Sequence, residues 1–244
     1  MGIKRYTANA DTTITNAYKE NLQTRGTGSN MGLADSLEVF HIYGQESSSS
    51  AENSRVLIDF PATTTITTDR SAGTIPASGS VSWFLRVHNV VHPGTLPKNY
   101  NMTISAVSRS WDEGTGLDME GYTDSGSCNW TAAASSSSGV IAWTAAGGDY
   151  HAAATGSTAY FDDGTEDIEI DISHLVEEWV KGQSGGAKGD IYGVGIKMEN
   201  ESALSSSYTK KFSARSSQYF FNRPTLEARW DSATKDDRGN FYYS

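Results

Sequence analysis

Beyond residue 167 the chain begins to alternate. Ile168, Ile170 and Ile172 point one way and Glu169 and Asp171 the other, the period-two pattern of a half-buried strand. After Ser173 the period changes: Leu175, Val176 and Trp179 recur at helical spacing, predicting one short helix near residues 174–181. Gly182 and the run GQSGGAKG end it, because glycine reaches the φ > 0 conformations that close helices. Tyr192, Val194, Ile196 and Met198 then alternate against small or charged residues as a second strand. A third opens at Phe212 and a last at Pro224, with Leu226, Ala228 and Trp230 inward.

Upstream the pattern is also strand-like. Ile3, Lys4, Arg5 and Tyr6 read as a basic, aromatic arm leading into a first strand over residues 12–17. Residues 22–32 read as a loop. Residues 36–43 alternate, with Leu37, Val39 and His41 on one face and Glu38, Phe40 and Ile42 on the other. The run QESSSSAENS is a polar hairpin or longer loop, and residues 55–60 form an apolar central strand ended by Pro61. Residues 62–80 are a threonine-rich connection expected to hold one short strand. Residues 81–91 set Trp83, Leu85 and Val87 opposite Phe84, Arg86 and His88, and residues 100–107 are the next strand. Residues 112–165 read mostly as long loops, and loops of that length in a compact domain are functional or docked on a neighbour. The two halves share strand character but no repeated motif.

Length and charge narrow the classes. The chain has 244 residues, enough for a sizeable core without disulfides or metal. Its net charge of −10 argues against a nucleic-acid groove and against an anionic membrane surface. Cys128 stands alone, so no intrachain disulfide or thiolate cluster is expected, and it reads as a small, inert or partly exposed side chain. No signal-like apolar run follows Met1, and none approaches the roughly 18 residues of a membrane span. Synthesis in a cytoplasm is expected, with the sequons at Asn101, Asn129 and Asn200 unused.

Candidate chemistry is sparse. Asp112, Glu113, Asp118, Glu120 and Asp124 cluster after Trp111. A glycosidase needs two carboxylates fixed across a cleft, one with a raised pKa, and a glycine-rich loop does not fix them. Calcium tolerates such loops and makes Asp112, Glu113 and Asp118 its candidate ligands, although the spacing is not that of an EF-hand. The preferred reading is a solvated acidic loop in which Glu113 and the following Gly-Thr-Gly hold the turn, with no cofactor. His41, His151 and His174 are scattered, and no G-x-S-x-G elbow accompanies them. His88 and His92 stand four apart on a strand, where that spacing does not align two imidazoles. No catalytic residue is assigned. Sugar binding would need two or three coplanar rings from Tyr122, Trp130, Trp143, Tyr150 or the run Tyr219, Phe220 and Phe221. The preferred reading instead makes Trp111, Trp130 and Trp143 anchors of the core or of an interface.

Asp171, Ile172, Ser173, Leu175, Val176 and Trp179 are followed by Tyr192, Gly193, Pro224 and Leu226. Ahead of them stand Ala10, Asp11, Thr12 and Ile14, then Arg55 to Phe60, then Trp111, Glu113, Gly114, Thr115 and Gly116 before Trp130. In this order the motifs resemble the DNRLRE family of β-sandwich domains over roughly residues 8–231. The resemblance implies an all-β fold, an antiparallel, jelly-roll-like β-sandwich over residues 1–231, with residues 232–244 as an extension or linker. The closing stretch, including Lys210, Lys211, Phe212, Arg215, Arg223, Trp230, Asp237 and Asn240, resembles structural proteins of tailed, marine-type bacteriophages. That implies a non-enzymatic virion protein, made in the host cytoplasm. It would decorate a capsid or belong to a tail, neck or fibre, in several copies and with other virion proteins as partners. Arg5, Tyr6, Trp130, Trp143, Tyr219, Phe220, Arg238, Phe241 and Tyr242 are its expected contact residues, since aromatics and arginine are favoured at interface cores. A carbohydrate-binding module reading host glycans is the alternative.

Overall fold

The computed structural model of the chain describes residues 1–93, 96, 98–117, 127–151, 156–182, 190–202 and 207–233. Alternation builds two antiparallel sheets. One has the order β1 (Gly2–Thr7), β13 (Thr225–Trp230), β5 (Ser82–Val87), β10 (Ile168–Asp171). The other runs β12 (Tyr208–Ser213), β3 (Ser36–Tyr43), β4 (Ala51–Asp59), β11 (Val194–Met198), β6 (Tyr100–Ala106), β9 (Ser157–Phe161). A seventh strand, β2 (Ala10–Thr15), also pairs with β4. A separate hairpin joins β7 (Ala132–Ser136) to β8 (Gly139–Ala142). The whole is an antiparallel β-sandwich.

One edge of β4 is shared. Residues 51–53 pair with β3 and residues 54–59 with β2, so β3 peels away where β2 takes over. Hydroxyls replace the lost ladder there. Ser54 Oγ accepts from Phe40 N at 2.8 Å and donates to Glu38 O at 2.7 Å, and Thr13 Oγ1 accepts from Glu38 N at 3.0 Å. Without them, buried backbone groups would stand unpaired at a cost of about 1–3 kcal/mol each. The fork curls the larger sheet. At another corner the sheets join, because the chain beyond β5 pairs with β12 through Val90 N to Lys211 O and Ser213 N to His88 O, both 2.9 Å.

The main core lies between the sheets, where Trp83, Trp179, Phe60, Phe161 and Phe212 are fully enclosed. Helix α2 (Ser173–Gly182), where the periodicity places it, closes one end with Leu175, Val176 and Trp179. The shorter helix α1 spans Thr67–Ser71. The Asp-Ile-Ser start of α2 has a local cause. Asp171 Oδ1 accepts from Ser173 N, and Ser173 Oγ accepts from Trp83 N, both at 2.8 Å, which ties the helix start to β5. A smaller core of Ile14, Leu57, Val107, Cys128, Trp130, Ala133 and Trp143 covers the other face of the larger sheet. On the open face of the smaller sheet, buried Glu227 meets Arg5, Arg86 and Arg229.

Four expectations are corrected. The arm at residues 3–6 is strand β1, paired with β13, and the next strand spans Ala10–Thr15. Within residues 62–80 the chain forms a π-helical turn at Ala62–Ile66 and then α1 (Thr67–Ser71), with no strand. Thr67 Oγ1 donates to Ala62 O at 3.0 Å and Ser71 Oγ to Thr67 O at 2.9 Å. Burial of Ala62 and Ile66 against the core thus overrides the β preference of threonine. The stretch 112–165 holds the β7–β8 hairpin and β9. Finally, β12 opens at Tyr208, opposite His41, and Phe212 lies near its end.

Candidate functional site

The first residues of the acidic loop are built into the fold. Glu113 Oε1 accepts from Asp11 N and from Arg215 Nε, both at 2.9 Å, and Oε2 accepts from Arg215 Nη2 at 2.6 Å. Asp11 lies beneath, 1% exposed; its Oδ2 accepts from Arg215 N at 2.5 Å and its Oδ1 has no partner. Burial first, then the Glu113 carboxylate, pushes Asp11 up to about 7, against the Arg215 amide. Asn30 knits the loop from below. Its Nδ2 donates to Glu113 O at 2.7 Å and Cys128 O at 2.8 Å, and its Oδ1 accepts from Gly32 N at 3.1 Å and Gly116 N at 2.9 Å.

This approach explains the glycine at 116, since a Cβ there would stand 1.9 Å from Asn30 O. Gly116→Ala is expected to lower stability by about 1–3 kcal/mol, as overpacking does. A chemical denaturation midpoint unchanged from wild type would refute the close contact. Glu113, one of the calcium candidates, therefore already serves Arg215, an ion pair that calcium would have to displace. Asp112 is exposed, and Asp118 lies outside the described residues. Among the described residues no group of three His, Cys, Asp or Glu side chains is placed to hold a metal. Cys128 is fully buried, and burial raises its thiol well above the usual range.

The expected contact residues divide. Tyr6, Trp130 and Trp143 are buried, at 3%, 8% and 5% exposure, so they are not surface contacts in this chain. Tyr6 faces inward on β1 and donates to Asp69 Oδ2 at 2.8 Å. Trp143 donates from Nε1 to Asn129 O at 2.8 Å, and Arg55 lies 5.0 Å over the Trp130 ring. Arg5 reaches the open sheet face, and Tyr219 and Phe220 are exposed. Arg238, Phe241, Tyr242 and also Tyr122 lie outside the described residues. Phe220 and Phe221 meet edge to face, at 5.6 Å and 81°, so these two do not make a flat platform. His88 Nδ1 meets Asp167 Oδ2 at 2.9 Å at the end of β5.

A cleft that the sequence reading missed lies beside Trp111. It encloses about 310 Å³ and is lined by Asn9, Asp59, Thr63, Thr64, Trp111 and Tyr192, among others. Burial pushes Asp59 up to about 6, with Asn9 Nδ2 3.4 Å from its Oδ2. Trp111 is fixed by its Nε1 donating to Tyr192 O at 2.9 Å. A broader hollow of about 540 Å³ adjoins it through Ser110 and Tyr192 and carries Arg109, Thr144 and Asp149. There Arg109 Nε meets Asp149 Oδ2 at 2.5 Å. Hydrogen-bonding groups beside an indole and a phenol suit a polar, ring-shaped ligand.

Among the described residues, fold and surfaces define a β-sandwich with a polar groove beside Trp111 and an exposed aromatic turn at Tyr219–Phe221. No family model matches the chain, and no curated protein does.

Proposed function

We propose that the chain is a non-enzymatic structural protein of a tailed-bacteriophage virion. It would be a capsid decoration or a tail, neck or fibre component that makes protein–protein contacts. The observation that carries the contact role is the aromatic turn. Tyr219, Phe220 and Phe221 are 63%, 59% and 85% exposed on consecutive positions. The turn is held from behind by Asn222 N donating to Tyr219 O and Arg223 Nε to Ser217 O, both at 2.9 Å. A pre-ordered aromatic cluster loses little entropy on docking, and such side chains dominate binding energy at interfaces. The virion setting rests on the sequence resemblance.

The test is sedimentation of the purified chain, alone and with the virion proteins it would join. Association is expected, and the double variant Phe220→Ser, Phe221→Ser should lose it while unfolding at the same temperature. A wild-type chain that stays monomeric in both mixtures would sink this reading.

The cleft beside Trp111 favours a second reading, a glycan-binding module. Saturable binding of an oligosaccharide that is abolished in Asp59→Ala and Trp111→Ala would support it. Heat of binding indistinguishable from buffer across a glycan panel would count against it.

A further inference from the structure

Lys210 lies on β12 with its side chain enclosed, 0% exposed, beside Phe212 at the edge of the main core. Its Nζ donates to Asn89 Oδ1 at 2.6 Å, Gly164 O at 2.8 Å and Glu166 O at 2.8 Å. The rings of Phe161 and Phe212 stand 5.1 and 5.3 Å from it. Asn89 belongs to the neighbouring strand segment, bridged to Phe212. An enclosed lysine amine and a half-buried asparagine carboxamide are thus held together on adjacent strands, against two phenyl rings.

Beside the pocket stands a half-buried acid, Glu166, whose carboxylate is held below its usual range by backbone amides, against the opposing effect of burial. Glu166 Oε1 is fixed by the amides of Asp162 at 2.9 Å and Asp163 at 2.6 Å. Its Oε2 is buried without a partner, as is the Tyr100 hydroxyl, whose ring stacks on Phe161 at 4.8 Å. The Glu166 charge acts on both Lys210 and Tyr100. Burial lowers the Lys210 amine to about 8, against the opposing pull of Glu166 and Asp167. Near neutral pH a usable fraction is therefore the free amine, which is the nucleophilic form.

We propose that Lys210 and Asn89 join in an intramolecular isopeptide bond, formed by the folded chain itself with Glu166 carrying the protons. Glu166 takes a proton from the Lys210 ammonium. The freed lone pair on Nζ bonds to Asn89 Cγ, and the carbonyl π pair moves onto Oδ1. As Oδ1 returns its pair, the Cγ–Nδ2 bond breaks. The departing nitrogen takes one proton from the attacking nitrogen and one from Glu166, and it leaves as ammonium. Glu166 ends ionised, as it began. No oxidant or cofactor enters the balance. The fold supplies the proximity that a bimolecular amide exchange lacks, and enclosure keeps water from competing for the intermediate.

The experiment is the intact mass of the denatured full chain, followed by a tryptic map. The expected mass is lower than that of the sequence by one ammonia. The expected map contains a branched peptide joining residues 87–98 to residues 198–211, uncut after Lys210. Glu166→Gln, checked for a cooperative unfolding transition, should fold and keep the full sequence mass. A wild-type chain that keeps the full mass after prolonged incubation at pH 8 overturns the proposal and leaves Lys210 a non-covalent clasp. So does an ammonia loss that maps to a linear peptide, the mark of a cyclised asparagine. A bond still formed in folded Glu166→Gln removes that residue from the chemistry. If that variant does not fold, the wild-type mass and map decide.

Discussion

Trp83→Ala is expected to lower unfolding free energy by about 3–5 kcal/mol, the range for emptying a fully buried aromatic site. Trp83 is 0% exposed on the inner face of β5, and its ring lies 6.0 Å from that of Tyr6. It does more than fill space. Its Nε1 donates to Glu177 Oε1 at 3.0 Å, and Arg70 grips the same carboxylate at 2.6 and 3.0 Å. Against the opposing effect of burial, the Arg70, Ser78 and Trp83 hydrogen bonds hold Glu177 below its usual range. The alanine variant therefore leaves a cavity and strips one donor from a carboxylate that joins α1 to α2. Trp83→Phe keeps most of the volume but loses that donor and one ring's worth of packing, for an expected cost of about 1–3 kcal/mol. Urea unfolding of both variants separates the two contributions. Equal losses would mean that the hydrogen bond, and not packing, governs the site.

The second large effect is expected at Arg215. Arg215→Gln removes the cation that grips Glu113 and should cost about 2 kcal/mol, between the ranges for exposed and for buried ion pairs, since the two side chains are 29% and 19% exposed. The cost should depend on pH. The folded pKa of Asp11, about 7, lies above its unfolded value near 3.8. Between those values the folded chain holds a proton that the unfolded chain has lost. The Asp11 contribution to stability is thus full below the unfolded value and disappears as pH rises through about 7. Wild type should gain stability between pH 8 and pH 5, by about 2 kcal/mol from this group. Asp59, raised to about 6 by burial, adds a contribution of the same sign. Arg215→Gln should be most damaging at pH 8, where Asp11 ionises beside Glu113. Asp11→Asn should flatten the wild-type slope. Denaturation midpoints at pH 5, 6, 7 and 8 check all three, and a slope that survives Asp11→Asn would assign it elsewhere.

Local patterns in the sequence carried some elements and missed others for identifiable reasons. The Ile168–Ile170–Ile172 alternation and the Leu175–Val176–Trp179 stripe needed no distant partner to be read, and both hold. Likewise Trp83, Leu85 and Val87 face the core as alternation requires. β1 was missed because Lys4 and Arg5 are polar locally. Arg5 is matched by Glu227, 222 residues later. The Thr-rich turn at Ala62–Ile66 was misread because threonine favours strands, whereas Ile66 is pulled into the core. Trp130 and Trp143, read as anchors of the core or of an interface, lie in the smaller core, although no local spacing announces the partners that cover them. Lys210 is the sharpest case. Its charge gives no local sign of burial, yet its amine is held by the carbonyls of residues 164 and 166. The cleft at Trp111 was invisible for a related reason, since Asn9 and Asp59 meet only after β2 pairs with β4.

The pairing of β1 with β13 sets how the domain would bear load. Gly2 lies opposite Trp230 in an antiparallel ladder of six residue pairs, so residues 2 and 230 leave the sheet at one corner. Tension applied there would peel the two strands apart one pair at a time, instead of shearing the ladder as a unit, and the first yield should come at low force. Resistance would then pass inward to β5 and to the segment that carries Asn89. If Lys210 is bonded to Asn89, the 121 residues of separation between them stay out of the stretched contour. A single-molecule pull would then record a domain that gives way early and stops short.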